Sequence, residues 1–446
     1  MMLQSRILHR RYAIVVVASM LCFASQLAGI LLAPPNEHYE WDPLEYATLA
    51  RNLYQHGQYG INRGDLTNAP NWAGENPSRT RQPLYPLFLI VSYWIPGKSL
   101  RALQVSQLLL NLGTLWCALA IARRILGRNL WAGTAIALGL YFPLWFTSAF
   151  IMSESLFTFL LALSMLLLQR SIENGRRKMW SVALAGGLLG LCCLTRPVGF
   201  AVCICGLLLL LFCHGAKKGE LYGLLMLGAC AIVLFPWALR NYLSMGEFTP
   251  LSSEGGANLL WGVFRPSSQD SKDFGPIIVD TVRRYGYYQS ERASARFRQI
   301  ALERIRSRPM AYLGRRVASV AQMWGYFPGS RASPISSREP LFVGLTAAHY
   351  LILVFAGVGL SIVGSRWGAF LLLPAISITL PFLFLGEGLS RYLLPAAPYL
   401  LILAGEGAAS ASHKGVEWVR GNLRPFSSWA TGTSKESAVS QDSVRR

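Results

Sequence analysis

The sequence predicts an all-α polytopic membrane protein with about ten transmembrane helices and two long extracytoplasmic loops carrying amphipathic interfacial helices. Three observations predict it. Hydrophobic residues make up 52% of the chain and charged residues only 14%, against about a quarter charged in an ordinary soluble domain. Apolar runs of roughly 17–25 residues recur along the chain, Leu-rich and continuous rather than alternating. Hydrocarbon admits only helices and closed barrels, and continuous runs select helices. Lys and Arg also cluster in every second connection, as a fixed membrane orientation requires.

The expected spans are 12–32, 102–122, 130–149, 155–169, 180–195, 198–213, 221–239, 341–363, 368–385 and 393–409. Arg6, His9, Arg10 and Arg11 precede the first run, Tyr12 to Leu32. Its length of about 20 residues favours an uncleaved helix over a signal core of about 7–15. Alternate connections carry Arg123, Arg124 and Arg128; Arg170, Arg176, Arg177 and Lys178; Lys217 and Lys218; and Arg366. With the basic tail, these place both termini in the cytoplasm and the chain in the plasma (inner) membrane. Residues 1–409 form one membrane domain, with long outer loops at 33–101 and 240–340. The Ser-rich stretch 410–446 reads as a disordered cytoplasmic tail.

In the first loop, Leu44, Ala47, Leu49, Ala50 and Leu53 form one apolar helical face, starting at an Asp42-Pro43 cap and ended by Gly57 and Gly60. The proline-bearing apolar stretch near 84–96 is about 13 residues, too short to span, and should lie at the interface. In the second loop, residues 287–306 carry Ala293, Phe297, Ile300, Ala301 and Ile305 on one stripe. Its many arginines suit the anionic headgroups of membrane lipids or the rim of a phosphate-binding site. The net charge of +20 reads as loop bias of a membrane protein, and no nucleic-acid partner is expected. The eight cysteines lie in or at the ends of apolar runs without zinc-ligand spacing and read as packing residues.

The charges outside the cytoplasmic connections matter most. The spans hold almost no ionisable residue, and His349 reads as a packed histidine. Asp42, Glu154, Arg196, Arg240, Glu387 and Arg391 fall instead at helix ends that the topology places on one membrane face. Each has an ordinary structural reading alone: an Asp before Pro caps a helix, a Glu at a helix start meets the dipole, and an Arg at a helix end anchors to lipid phosphate. Both signs repeated on one face point to a site. A transporter needs ionisable groups or broken helices near the midplane. An enzyme acting on a lipid-linked substrate needs polar groups at one interface, and this is the pattern seen.

The spacing Asp42, Tyr46, Ala50, Leu53, Gly57 resembles the first outer loop of GT-C glycosyltransferases, closest to bacterial members of the dolichyl-phosphate-mannose–protein mannosyltransferase superfamily (glycosyltransferase family 39-like). TRQPLYPLFL at 80–89, SESLFTFLLAL at 153–163, LTRPVGF at 194–200, RNYLSMGEFTPLSSEGGANLLWG at 240–262 and GEGLSRYLLPAAPYL at 386–400 extend the resemblance over nearly the whole chain. It implies a polyprenyl-phosphate-linked sugar donor, an extracytoplasmic active site, and a protein, lipid or glycan acceptor. One departure is a single Asp42, flanked by Glu40 and Glu45, in place of an adjacent acidic pair; this leaves open a second carboxylate or a divalent metal cation. On this resemblance Asp42 is the expected base of an inverting transfer, and Arg391, Arg196 and Arg240 are the expected donor-phosphate ligands. Glu154 and Glu387 would meet sugar, acceptor or metal, while Tyr46, Arg81 and Tyr85 would shape the loop. The competing readings are a lipid-linked sugar flippase or other transporter, a membrane scaffold, and a glycan ligase or polymerase on the same fold.

Overall fold

A computed structural model describes residues 2–32, 42–62, 65, 74–126, 128–173, 178–264, 271–285, 290–325, 340–386 and 388–422. Helix α1 (Met2–Leu32) holds the first apolar run. In the long segment after it, α2 (Asp42–His56) ends at Gly57, whose φ of +66° suits glycine. A short antiparallel pair, β1 (Ile61–Asn62) with β2 (Gly74–Glu75), follows. The apolar stretch then folds as α3 (Leu84–Leu89), running into a π-helical turn at Ile90–Trp94. Leu49 and Ala50 of α2 are fully buried, and that helix packs on α3 and the π turn. The same face of α2 also buries Glu45, Tyr46, Thr48 and Asn52 against protein.

The bundle continues with α4 (Leu100–Ile125), α5 (Arg128–Leu140) and α6 (Phe142–Trp145). Residues 130–149 were expected as one span. The structure bends them by 50° at Tyr141, where Pro143 interrupts the ladder, and a 3-10 turn follows at Phe146–Ala149. Next come α7 (Glu154–Ile172), α8 (Lys178–Thr195), α9 (Gly199–His214) and α10 (Ala216–Met245). The 16 residues of α9 measure about 24 Å, short of a hydrocarbon core of about 30 Å. It packs between α8 and α10 and beside the later α16 (below), and it turns into α10 through Gly215. Among the described residues, eight helices are long and apolar enough to cross a membrane, nine with the bent pair. The short apolar α9 is the tenth expected element.

The second long segment contributes α11 (Gly255–Val263), α12 (Ser271–Tyr285), α13 (Glu291–Ser307) and α14 (Pro309–Met323). Ala293, Phe297 and Ala301 of the expected amphipathic stripe are fully buried, with Ile300 and Ile305 packed alongside. The last helices are α15 (Pro340–Ile362), α16 (Ser365–Thr379) and α17 (Ala397–Asn422), with α17 preceded by a 3-10 turn at Ser390–Ala396. Helix α17 thus runs past 409, where the tail was expected to begin; residues 423–446 lie outside the described residues. Without driving force from water, helices associate here through close packing. At Gly359 and Gly407 any side chain would meet the backbone oxygens of Leu403 and Phe355, so α15 and α17 touch backbone to backbone. The cysteines are free and all but Cys205 are buried in the bundle. His349 is packed between Tyr141 Oη (3.1 Å) and the Trp324 carbonyl (3.0 Å).

Candidate active site

Six separate stretches bring charge to one place: the start of α2, the Ser78–Gln82 stretch, the break at 153–154, the break at 196–198, the residue before α11, and the 3-10 turn before α17. The first break is held from α4. Gln107 Nε2 donates to the carbonyls of Ser148 (3.1 Å) and Phe150 (2.7 Å), and Gln104 Nε2 to that of Ala149 (3.2 Å). These bonds satisfy backbone that the broken helix leaves unpaired, and they set Ser153 and Glu154 at the start of α7. Tyr85 is fully buried, donates to Gln107 Oε1 (3.1 Å) and meets Tyr46 edge to face, so it supports the same corner.

Asp42 is the hub. Its Oδ1 accepts from Arg81 Nη2 at 2.6 Å and its Oδ2 from Arg391 Nη2 at 2.7 Å. Arg81 also pairs with Glu45 Oε2 at 2.6 Å and Glu254 Oε1 at 2.7 Å, and lies over the Tyr46 ring. Arg196 Nη1 pairs with Glu154 Oε1 at 2.8 Å, and Arg391 Nε approaches the same oxygen at 3.9 Å. Both Arg196 and Arg391 stack on Tyr392. Burial pushes the Asp42 carboxyl up, but Arg81, Arg391 and Arg196 override it and hold it well below the usual carboxylate range. Glu254 behaves in the opposite way. Burial pushes it up to about 7, with Arg81 pulling down and the Glu45 and Asp42 charges adding to the rise.

These groups line one end of a cavity of about 1000 Å³. The other end is apolar, with Phe157, Ile204, Trp261, Leu380, Phe384 and Leu385. Ile204, Leu380, Phe384 and Leu385 are also exposed, so the cavity is open among apolar side chains.

Of the expected residues, Asp42, Glu154, Arg196 and Arg391 meet in this cavity. Arg240 does not line it. Its guanidinium donates to the carbonyls of Ser78 (2.8 Å) and Tyr59 (3.0 Å) and stacks on Trp237, fixing the first long segment, which corrects its expected place as a phosphate ligand. Glu387 lies outside the described residues. Arg81, expected only to shape the loop, sits among three carboxylates. Glu254 was missed; its one sequence signal is a carboxylate before two glycines at an apolar helix start. Two further carboxylates stand near Asp42: Glu45, one helical turn on, and Glu254, from the other long segment, both paired with Arg81. A divalent cation needs open oxygen ligands. Arg81 fills the space between Asp42, Glu45 and Glu254, so these residues do not fit a metal centre as arranged.

The helix order and the two long segments around a charged cavity are those of an all-helical polytopic membrane protein. Within it, residues 77–239 match the family model described as dolichyl-phosphate-mannose-protein mannosyltransferase. No curated protein sequence matches the chain. Among solved structures, it is similar to the archaeal oligosaccharyltransferase AglB from Archaeoglobus fulgidus in complex with an inhibitory peptide and a dolichol-phosphate. The two are 13% identical over 96% of this chain and 52% of that one, with a TM-score of 0.54. The same enzyme tethered to an acceptor peptide containing the NVT sequon is 13% identical over 90% of this chain and 50% of that one, with a TM-score of 0.54. ArnT from Cupriavidus metallidurans bound to undecaprenyl phosphate is 15% identical over 90% of this chain and 79% of that one, with a TM-score of 0.42. The chain spans about half the length of the oligosaccharyltransferase, and at these identities the likeness is one of fold.

Proposed function

We propose that this protein transfers a sugar from a polyprenyl-phosphate donor to an acceptor at the extracytoplasmic face of the inner membrane, both termini being cytoplasmic, by inverting displacement with Asp42 as base. The observation that carries the reading is Asp42 bridged between Arg81 and Arg391 inside a cavity whose other half is apolar and open. A prenyl chain suits the apolar half, and its phosphate suits the arginines. Arg391 Nε is buried with no hydrogen-bond partner among the described residues, a donor in want of an anion.

The donor's phosphodiester carries one negative charge and competes with Asp42 for Arg391. As Arg391 and Arg196 turn to the phosphate, Asp42 loses counter-charge and regains the use of Oδ2. That oxygen accepts the acceptor hydroxyl's hydrogen as the hydroxyl attacks the anomeric carbon. The carboxylates of Asp42 and Glu154 meet positive charge developing on the sugar, and the two arginines meet the charge growing on the leaving phosphate. Arg81 keeps Asp42 oriented throughout.

The test is genetic and chemical together. Deleting the gene and comparing cell-envelope glycans by mass spectrometry should remove a sugar-bearing species. The wild-type gene should restore that species and Asp42→Asn should not, although the variant protein still inserts. An unchanged glycan profile on deletion, or full restoration by Asp42→Asn, overturns the reading.

A further inference from the structure

We propose that the cavity side of α11 recognises the hydroxyls of the transferred sugar, with Asn258 as a specificity-determining residue; the role rests on the sugar-transfer reading and deepens it. The helix has two distinct sides. Glu254, Asn258 and Trp261 follow at i, i+4 and i+7, which puts them on one side, and all three line the cavity. Gly256, Leu259, Leu260 and Val263 are buried on the opposite side, and α11 packs on α13. The helical bond from Asn258 N to the Glu254 carbonyl, at 2.8 Å, carries the first turn back to Glu254. At a rise of about 1.5 Å per residue, Asn258 lies about 6 Å and Trp261 about 10 Å along the helix from Glu254.

The place of this surface follows from its neighbours. Glu254 Oε1 accepts from Arg81 Nη1 at 2.7 Å, and the same guanidinium holds Asp42 Oδ1 at 2.6 Å. With the phosphate on Arg391 and the anomeric carbon at Asp42, the sugar ring comes to lie beside Arg81, where α11 forms the wall. The wall leaves room for a ring. Gly255 lines the cavity, and a Cβ added to it would meet nothing within 4 Å.

The chemistry of the three side chains suits a sugar. Asn258 is exposed, and among the described residues neither its amide nor the Trp261 indole N–H makes a hydrogen bond. An amide offers two donors and an acceptor at fixed spacing, which matches two neighbouring hydroxyls, and a carboxylate accepts from a third. The Trp261 ring, braced by Phe274 with centroids 4.5 Å apart, supplies apolar surface for the C–H groups of the sugar. Arg196 and Arg391, which suit the phosphate, lie on other elements, so sugar and phosphate meet separate groups. A surface that hydrogen-bonds particular hydroxyls discriminates against the epimer that moves one of them.

The test separates the sugar from the rest of the donor. Farnesyl methyl phosphate, a singly charged diester without a sugar, is titrated calorimetrically into the purified full chain, alongside the farnesyl phosphodiesters of mannose, glucose and galactose. The wild type should bind the best hexose probe at least about threefold tighter than the methyl diester and should rank the hexoses. Asn258→Ala keeps the backbone carbonyl that accepts from Gly386 N at 3.0 Å. It should leave the methyl diester within about twofold, weaken the best hexose probe about three- to tenfold, and flatten the ranking. Equal losses for the methyl diester and the hexose probes would make Asn258 a phosphate ligand or a prop of the fold and overturn the proposal. So would an unchanged hexose ranking in Asn258→Ala, or a wild type that binds all the probes alike. If Asn258→Ala does not fold, Gly255→Leu, whose side chain enters the open space, decides by the same comparison. A wild type that binds no probe sinks the sugar-transfer reading itself, a result distinct from binding without discrimination.

Discussion

Arg391 has two kinds of neighbour, a carboxylate it must release and an anion it should receive. Arg391→Ala removes a charge-assisted contact of about 1.5–3 kcal/mol, so the donor KM should rise about 10- to 100-fold. An unchanged donor KM would strike Arg391 from the phosphate site. The pH dependence follows from Glu254, whose raised value makes it the titrating group of the cavity. Once ionised, Glu254 competes with Asp42 for Arg81 and leaves Asp42 more basic, so kcat/KM for the acceptor should climb with pH through about 7 and flatten above it. Asp42 adds nothing in that window because its carboxyl is depressed and stays ionised down to strong acid. A profile flat from pH 5.5 to 8.5, within about twofold, would argue that no such group is used. Glu154, Arg196 and Arg391 could be placed on one face from the sequence because each sits at the end of an apolar run, and Asp42 because it starts the helix that follows the first span. Arg81 and Glu254 could not, since loop charges are common and only their shared contact distinguishes them. Arg240 looked like the others in sequence, but its nearest acceptors are the carbonyls of Ser78 and Tyr59.

Helix α11 controls where Glu254 stands. At Gly256 a side chain would meet the backbone oxygen of Ser294, and the Gly256 N–H donates to Ser294 Oγ at 3.0 Å. Gly256→Val should push α11 off α13, at a cost of about 1–3 kcal/mol in stability. Thermal unfolding in detergent should shift downward, and kcat should fall further than the donor KM changes, because the arginines that hold phosphate lie on other elements. A variant with wild-type unfolding and kcat would show that the close approach is slack. The existence of α2, α13 and the long apolar helices followed from period and length. The break at Tyr141 did not, because an apolar run with one proline reads equally as a kinked span. Where the bent pair ends, the carbonyls of Ser148, Ala149 and Phe150 are satisfied by Gln104 and Gln107, some 40 residues earlier, a compensation that no local window contains.

At the scale of the whole molecule, the orientation is the claim most open to direct test. Single cysteines placed at Ser252 and at Lys217, in a chain freed of its own reactive thiols, should react oppositely with a membrane-impermeant maleimide. Ser252→Cys should label in intact cells or spheroplasts and Lys217→Cys only after permeabilisation; the reverse pattern would invert the topology. The sequence by itself determined that this protein lives in a membrane, approximately where its helices lie, and which end of the bundle collects charge. Those properties depend on transfer of side chains and backbone into hydrocarbon, which is nearly additive along a chain. Tertiary structure alone decided that Asp42 shares Arg81 with Glu45 and Glu254, that Arg391 reaches Asp42 across 349 positions, and that a hollow lies between them. Ion pairing at 2.6–2.7 Å depends on position in three dimensions, and separation along the chain carries no trace of it.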